Sequence, residues 1–161
     1  KILIVGAGGI GGFFGAKMHQ AGVDVTFLLR EQRHQLIQKQ GLTVETPKRS
    51  FTIQPGIVLA EQLEPVYDLI ILACKAFDLE NALSSIIKAS SKGVILPLLN
   101  GFTHLDTLDR QFGKERVMGG VALEHRDLDA VISGLLQRPQ NGLMCQRDVR
   151  RPQQQIESKL H

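Results

Sequence analysis

The side chains best suited to chemistry follow four apolar runs. Gly6-Ala7-Gly8-Gly9-Ile10-Gly11 follows Lys1–Val5, and Arg30 follows Val23–Leu29. Lys75 follows Tyr67–Cys74, and Asn100 follows Gly93–Leu99. A glycine-rich turn that opens a helix offers backbone N–H groups and a positive dipole end to an anion. A guanidinium pairs with phosphate in a forked geometry, whereas an ammonium holds phosphate or carboxylate as a point charge. A carboxamide gives donors and an acceptor to a ribose or a substrate hydroxyl. The plainer readings are a ligand-free turn, a solvated loop lysine and an Asn-Gly turn.

Context sharpens the glycine turn. The run Ile2-Leu3-Ile4-Val5 suits a strand buried on both faces, and the spacing Gly6, Gly8, Gly11 fits a dinucleotide-binding turn. In that pattern Gly6 makes the tight turn, Gly8 lets a pyrophosphate approach the backbone, and Gly11 lets the helix pack closely. An NAD-binding unit carries an acidic residue about 20 positions on, where it reads the ribose 2′-hydroxyl. Arg30 occupies that place here, with Arg33 and His34 behind it. A carboxylate repels a 2′-phosphate and a guanidinium attracts it, so the sequence favours NADP(H) over NAD(H). Glu31 is the competing detail: turned inward, it would read a 2′-hydroxyl. A solvated start to the next helix also accounts for Arg33 and Glu31.

Three other reactive groups have plain readings. His104 lies close to Asn100 and could donate a proton, but the first turn of a helix predicts an exposed ring. Cys74 ends a strand and reads as a buried, inert thiol. Cys74 and Cys145 are the two cysteines, which gives no disulfide framework and suggests a reducing cytoplasm.

The elements that must position these groups alternate. Helices are predicted over Glu31–Gln40, stopped by Gly41, over Asp78–Ala89 and over Thr103–Phe112. The second carries a stripe of Leu79, Ala82, Leu83, Ile86 and Ile87. A fifth parallel strand is predicted over Arg116–Ala122, and Pro97 predicts an irregular ladder in its strand. Leu42–Thr46 and Ser50–Gln54 alternate in polarity around Pro47-Lys48-Arg49, which predicts an inserted antiparallel hairpin. Strands separated by helices mean a doubly wound parallel α/β sheet of Rossmann type.

Composition fits one soluble domain. The 161 residues are 43% hydrophobic and 22% charged, and no apolar run approaches the roughly 20 residues of a membrane helix. No secretory leader is read, because the opening apolar run ends in the glycine turn. The formal charge of +3 sits in residues 138–161, as a basic tail rather than a nucleic-acid surface.

The opening KILIVGAGGIGGFFGAKMHQAG, Arg30, LIILACKAFD, LPLLNG and VMGGVA resemble, in order and spacing, the NADP-binding half of ketopantoate reductase (2-dehydropantoate 2-reductase). The resemblance covers residues 1–123. It implies that the loop Gly6, Ala7, Gly8, Gly9, Ile10 and Gly11 holds the pyrophosphate and Arg30 the 2′-phosphate. It further implies that Lys75 lines the cofactor side of the cleft and that Asn100 meets both cofactor and substrate. The family uses NADPH to reduce the ketone of 2-dehydropantoate on the way to coenzyme A. Its general-acid lysine comes from a second, helical domain, so no catalytic residue is expected in this chain.

Residues 124–161 depart from the pattern at Glu124-His125-Arg126-Asp127 and are too few to hold that domain. They read as an atypical, poorly ordered tail, consistent with a truncated, frame-shifted or otherwise altered carboxyl part. An absent partner domain would expose apolar surface and favour a homo-oligomer. The expectation is therefore an NADPH-binding part of a 2-oxoacid reductase that is incomplete for catalysis. The alternatives are a non-catalytic NADP(H)-binding or sensor module, and another hydroxyacid dehydrogenase of related design.

Overall fold

β1 (Ile2–Val5) forms because four consecutive apolar residues can be buried on both faces only inside a sheet. From there the chain runs through α1 (Gly9–Gln20), β2 (Val25–Leu28), α2 (Glu31–Gln40), β3 (Leu42–Glu45), β4 (Ser50–Ile53) and β5 (Gly56–Val58). A 3₁₀ turn (Ala60–Gln62) leads to β6 (Leu69–Leu72), α3 (Leu79–Ile86), β7 (Val94–Pro97) and α4 (Thr103–Phe112). This computed structural model describes residues 1–46, 49–75, 78–87, 89–90, 93–99 and 103–118.

The five parallel strands lie in the order β5-β2-β1-β6-β7, and β3 and β4 form a separate antiparallel hairpin. The chain steps outward from β1 through β2 to β5, then returns to the other side of β1. That reversal makes the carboxyl ends of β1 and β6 the topological switch point, where open α/β sheets bind ligands. Register levels those ends: Val5 pairs with both Leu28 and Leu72, and Leu72 pairs with Pro97.

Alternate strand residues feed two cores. Ile4, Phe27 and Ile71 pack with Phe14 and Met18 of α1, Ile37 of α2, and Leu42, Val44 and Ile53 of the hairpin. Leu3, Ile70, Leu72 and Ile95 pack on the opposite face with Leu83 and Ile86 of α3 and Leu108 and Phe112 of α4. Each such side chain contributes about 1.5–3 kcal/mol on burial, against about 0–1 kcal/mol for an exposed ion pair. Apolar layering therefore holds the sheet together.

Three details differ from the sequence reading. β5 had no signal, since Gly56-Ile57-Val58 is too short to show a period, yet it closes the sheet edge beside β2. Ile87 falls outside α3 and is half exposed, so the apolar stripe ends at Ile86. The β6–β7 ladder is regular through Pro97. Leu98 N donates to Leu72 O, while Ile95 N donates outward to Arg116 O. Pro97 shares the outward phase of Ile95, so its missing N–H removes no bond to β6. Of the predicted strand Arg116–Ala122, the described part shows one parallel bridge, Ile95 to Val117. Residues 119–161, including the predicted tail and Cys145, lie outside the described residues.

Candidate functional site

Two glycines shape the turn between β1 and α1. Gly6 has φ of 98°, in the left-handed region that side chains rarely adopt. A Cβ on Gly11 would run into the Gly6 carbonyl oxygen and lie 2.9 Å from the Ala73 Cβ. Helix and strand meet that closely only with hydrogen there. Gly8 differs: a Cβ on it would meet nothing within 4 Å. The turn is tight beneath and open above.

α1 begins with its N–H groups unclaimed by side chains. Gly8 is the N-cap, there is no side-chain cap, and the first turn holds no acidic residue. The first intrahelical bond runs from Gly12 N to Gly8 O, at 2.7 Å. The N–H groups of Gly9, Ile10 and Gly11 thus precede any intrahelical partner. They add to the positive end of the helix dipole.

Arg30 stands two residues beyond β2 as the N-cap of α2, next to this turn in the sheet order. Its guanidinium is exposed, and Nη2 donates to Asp78 Oδ1 at 2.5 Å. Glu31 does not turn inward: it is exposed and accepts a hydrogen bond from Gln35 Nε2 at 2.7 Å along its own helix. Arg33 is exposed and His34 half-buried. Lys75 is exposed just beyond β6, on the other side of the β1 turn. The structure thus brings the glycine turn, Arg30 and Lys75 to one edge. Asn100 lies outside the described residues.

Sequence reasoning missed Asp78. Its signal was available only as an acid at a helix start, which ordinarily reads as a cap. Asp78 is the N-cap of α3 yet makes no side-chain cap there, and its carboxylate goes to Arg30 instead.

Cys74 is half-buried, and burial pushes its thiol up; the Asp78 carboxylate adds to the rise and Arg30 opposes it. The thiol stays protonated near neutral pH, in keeping with an inert group. His104 corrects the expectation of an exposed ring. It is half-buried in the first turn of α4, and its Nε2 has no hydrogen-bond partner among the described residues. Burial lowers its pKa below the usual histidine value, because a charged ring there loses water.

The sign of that shift gives a prediction. The folded chain binds the His104 proton less readily than the unfolded chain, so its stabilising contribution is present above the unfolded pKa of about 6.5. It declines as pH falls from there toward the folded value. The thermal midpoint of His104→Gln should therefore depend less on pH between roughly 6.5 and 5 than that of the parent. Identical pH profiles for the two would show that the ring titrates normally.

Among the described residues no group of three or more His, Cys, Asp or Glu gathers as a metal site, and no helix is long and apolar enough to cross a membrane.

Comparison with known proteins converges on one family. Residues 2–129 match the family described as Ketopantoate reductase PanE/ApbA. An uncharacterised oxidoreductase of Bacillus subtilis, YkpB, is 36% identical over 130 residues, 80% of this chain and 43% of that protein. The crystal structure of a 2-dehydropantoate 2-reductase from Geobacter metallireducens superposes with a TM-score of 0.67 and 34% identity, covering 76% of this chain and 41% of that one. A D-mandelate dehydrogenase in ternary complex with NADH and anilino(oxo)acetate gives a TM-score of 0.66 at 32% identity, over 73% of this chain and 39% of the other. The chain spans about two fifths of the length of these relatives.

Proposed function

The chain belongs to the ketopantoate reductase family, and from that premise we propose that residues 1–123 form the NADPH-binding domain of a 2-oxoacid reductase, with 2-dehydropantoate as its substrate. One observation carries the reading: the unclaimed amino end of α1 opens beside Arg30 at the switch point of the sheet. Relatives named 2-dehydropantoate 2-reductase support the substrate. A second reading, another 2-hydroxyacid dehydrogenase, is favoured by the likeness to D-mandelate dehydrogenase.

The residues present fit a phosphorylated dinucleotide. Open space above Gly8 admits a pyrophosphate to the backbone, and Gly6, Ala7, Gly8, Gly9, Ile10 and Gly11 would hold it. Arg30 would take the 2′-phosphate, with no carboxylate turned inward from Glu31 to repel it. Lys75 would line the cofactor side of the cleft, and Asn100 would orient cofactor and substrate. A bound reduced nicotinamide supplies the hydride that converts a ketone to a hydroxyl, a proton being added at oxygen. Half-buried and neutral, Cys74 and His104 are poorly suited to give that proton. In this reading the chain binds and orients.

Cofactor preference tests the reading. NADPH should bind more tightly than NADH at low ionic strength, and Arg30→Asp should weaken NADPH by roughly tenfold or more, narrowing or inverting the gap. Equal affinities of the parent chain for the two cofactors, measured by fluorescence titration, would sink it.

A further inference from the structure

The Arg30–Asp78 pair joins residues 48 positions apart, one beyond β2 and the other at the start of α3. Between β2 and β6 in the sheet lies β1, so the pair spans the edge on which the glycine turn opens. The Arg30 side chain is 73% exposed and that of Asp78 only 25%. The carboxylate is therefore the more firmly seated partner, and the guanidinium the more mobile one. Asp78 also begins a helix without capping it, although Asp is among the residues best suited to do so. Its negative charge sits comfortably at that helix start while Oδ1 accepts from Arg30. A carboxylate thus stands within hydrogen-bond distance of the one cation at the end of β2, although no acid occupies the end of β2 itself.

We propose that Asp78 is the residue that sets how sharply this site distinguishes a 2′-phosphate from a 2′-hydroxyl. The proposal rests on the NADPH-binding reading and deepens it. Two charges act on a ribose placed beside Arg30. The guanidinium attracts a 2′-phosphate of about −1.5 to −2 charge, and the Asp78 carboxylate repels it from a few ångströms away. To engage the phosphate fully, Arg30 must loosen its bond to Asp78. An exposed guanidinium does this readily, because water screens the pair. With a 2′-hydroxyl the balance reverses: the hydroxyl donates to the carboxylate, and the Arg30–Asp78 bond survives. Asp78 therefore disfavours NADPH and favours NADH, and the site accepts both with a narrowed preference for NADPH.

The test uses Asp78→Asn and Asp78→Ser, the second keeping a side chain that suits a helix start. Affinities are measured for NADPH and NADH, and for adenosine 2′,5′-bisphosphate and AMP, which carry only the adenosine half. Both variants should tighten NADPH and the bisphosphate by about tenfold at low salt, with NADH and AMP unchanged or weaker. The gain should shrink as salt rises. An unchanged NADPH-to-NADH ratio in whichever variant folds would overturn the role of Asp78, as would weaker NADPH binding. Should Asp78→Asn and Asp78→Ser both fail to fold, Arg30→Ala leaves the Asp78 carboxylate alone beside the ribose, and NADPH binding there at least as tightly as NADH would overturn it too. If the parent chain binds none of the four probes, the cofactor reading itself fails, a distinct outcome.

Discussion

A Gly8→Val chain is expected to keep its fold and lose NADPH. The backbone of Gly8 has φ of −82°, open to any residue, and a Cβ there meets no atom within 4 Å. The cost to stability is confined to a poorer N-cap, about 1 kcal/mol. The branched side chain instead fills the space through which a pyrophosphate reaches the N–H groups of α1. Each hydrogen bond to a charged group contributes about 1.5–3 kcal/mol, so losing two weakens binding by roughly 10² to 10⁴-fold. Gly11→Ala supplies the contrast. Its Cβ would strike the Gly6 carbonyl oxygen, a backbone atom that cannot swing aside, and overpacking of this kind costs typically 1–3 kcal/mol or more. The two variants should separate: Gly8→Val with parent-like circular dichroism and no binding, Gly11→Ala with a lowered melting midpoint. Unchanged NADPH titration in a folded Gly8→Val chain would remove the loop from the phosphate site.

Much of this arrangement was legible in the residues, for identifiable physical reasons. Strands buried on both faces, such as Leu69-Ile70-Ile71-Leu72, leave unbroken apolar runs, and the glycine spacing fixes where the first helix begins. Helix α2 ends where Gly41 takes a positive φ, as its sequence position suggests. The hairpin showed through its alternation, with Leu42, Val44 and Ile53 buried against α1 and Thr43 paired outward with Thr52. What escaped depends on contacts between distant segments. β5 is three residues long and exists because β2 offers it a ladder, which no local pattern records. Asp78 looked like a helix start, and only the fold brings Arg30 to it. His104 looked exposed because it falls in the first turn of a helix, whereas tertiary packing half-buries its ring.

The 161-residue chain is further expected to bind NADPH and leave it unoxidised when 2-dehydropantoate is added. Reduction of a ketone needs a proton on the oxygen as hydride arrives at carbon, and a positioned acid typically contributes roughly 10² to 10⁴-fold. Among the described groups, burial holds the Cys74 thiol protonated and the His104 ring neutral. Lys75 and Asn100 are assigned to orientation, with the family resemblance placing the acid on a lysine of a second, helical domain. With neither that acid nor a closed pocket among the described residues, positioning is lost as well, and its contribution is of similar or larger size. Binding and turnover should therefore part company in one preparation: saturable NADPH fluorescence, and a flat absorbance trace with substrate present. Lys75→Ala sharpens the result, since it should weaken cofactor binding and change nothing else. Robust turnover that Lys75→Ala abolishes, with NADPH affinity intact, would place the acid on Lys75 and make these residues a working enzyme.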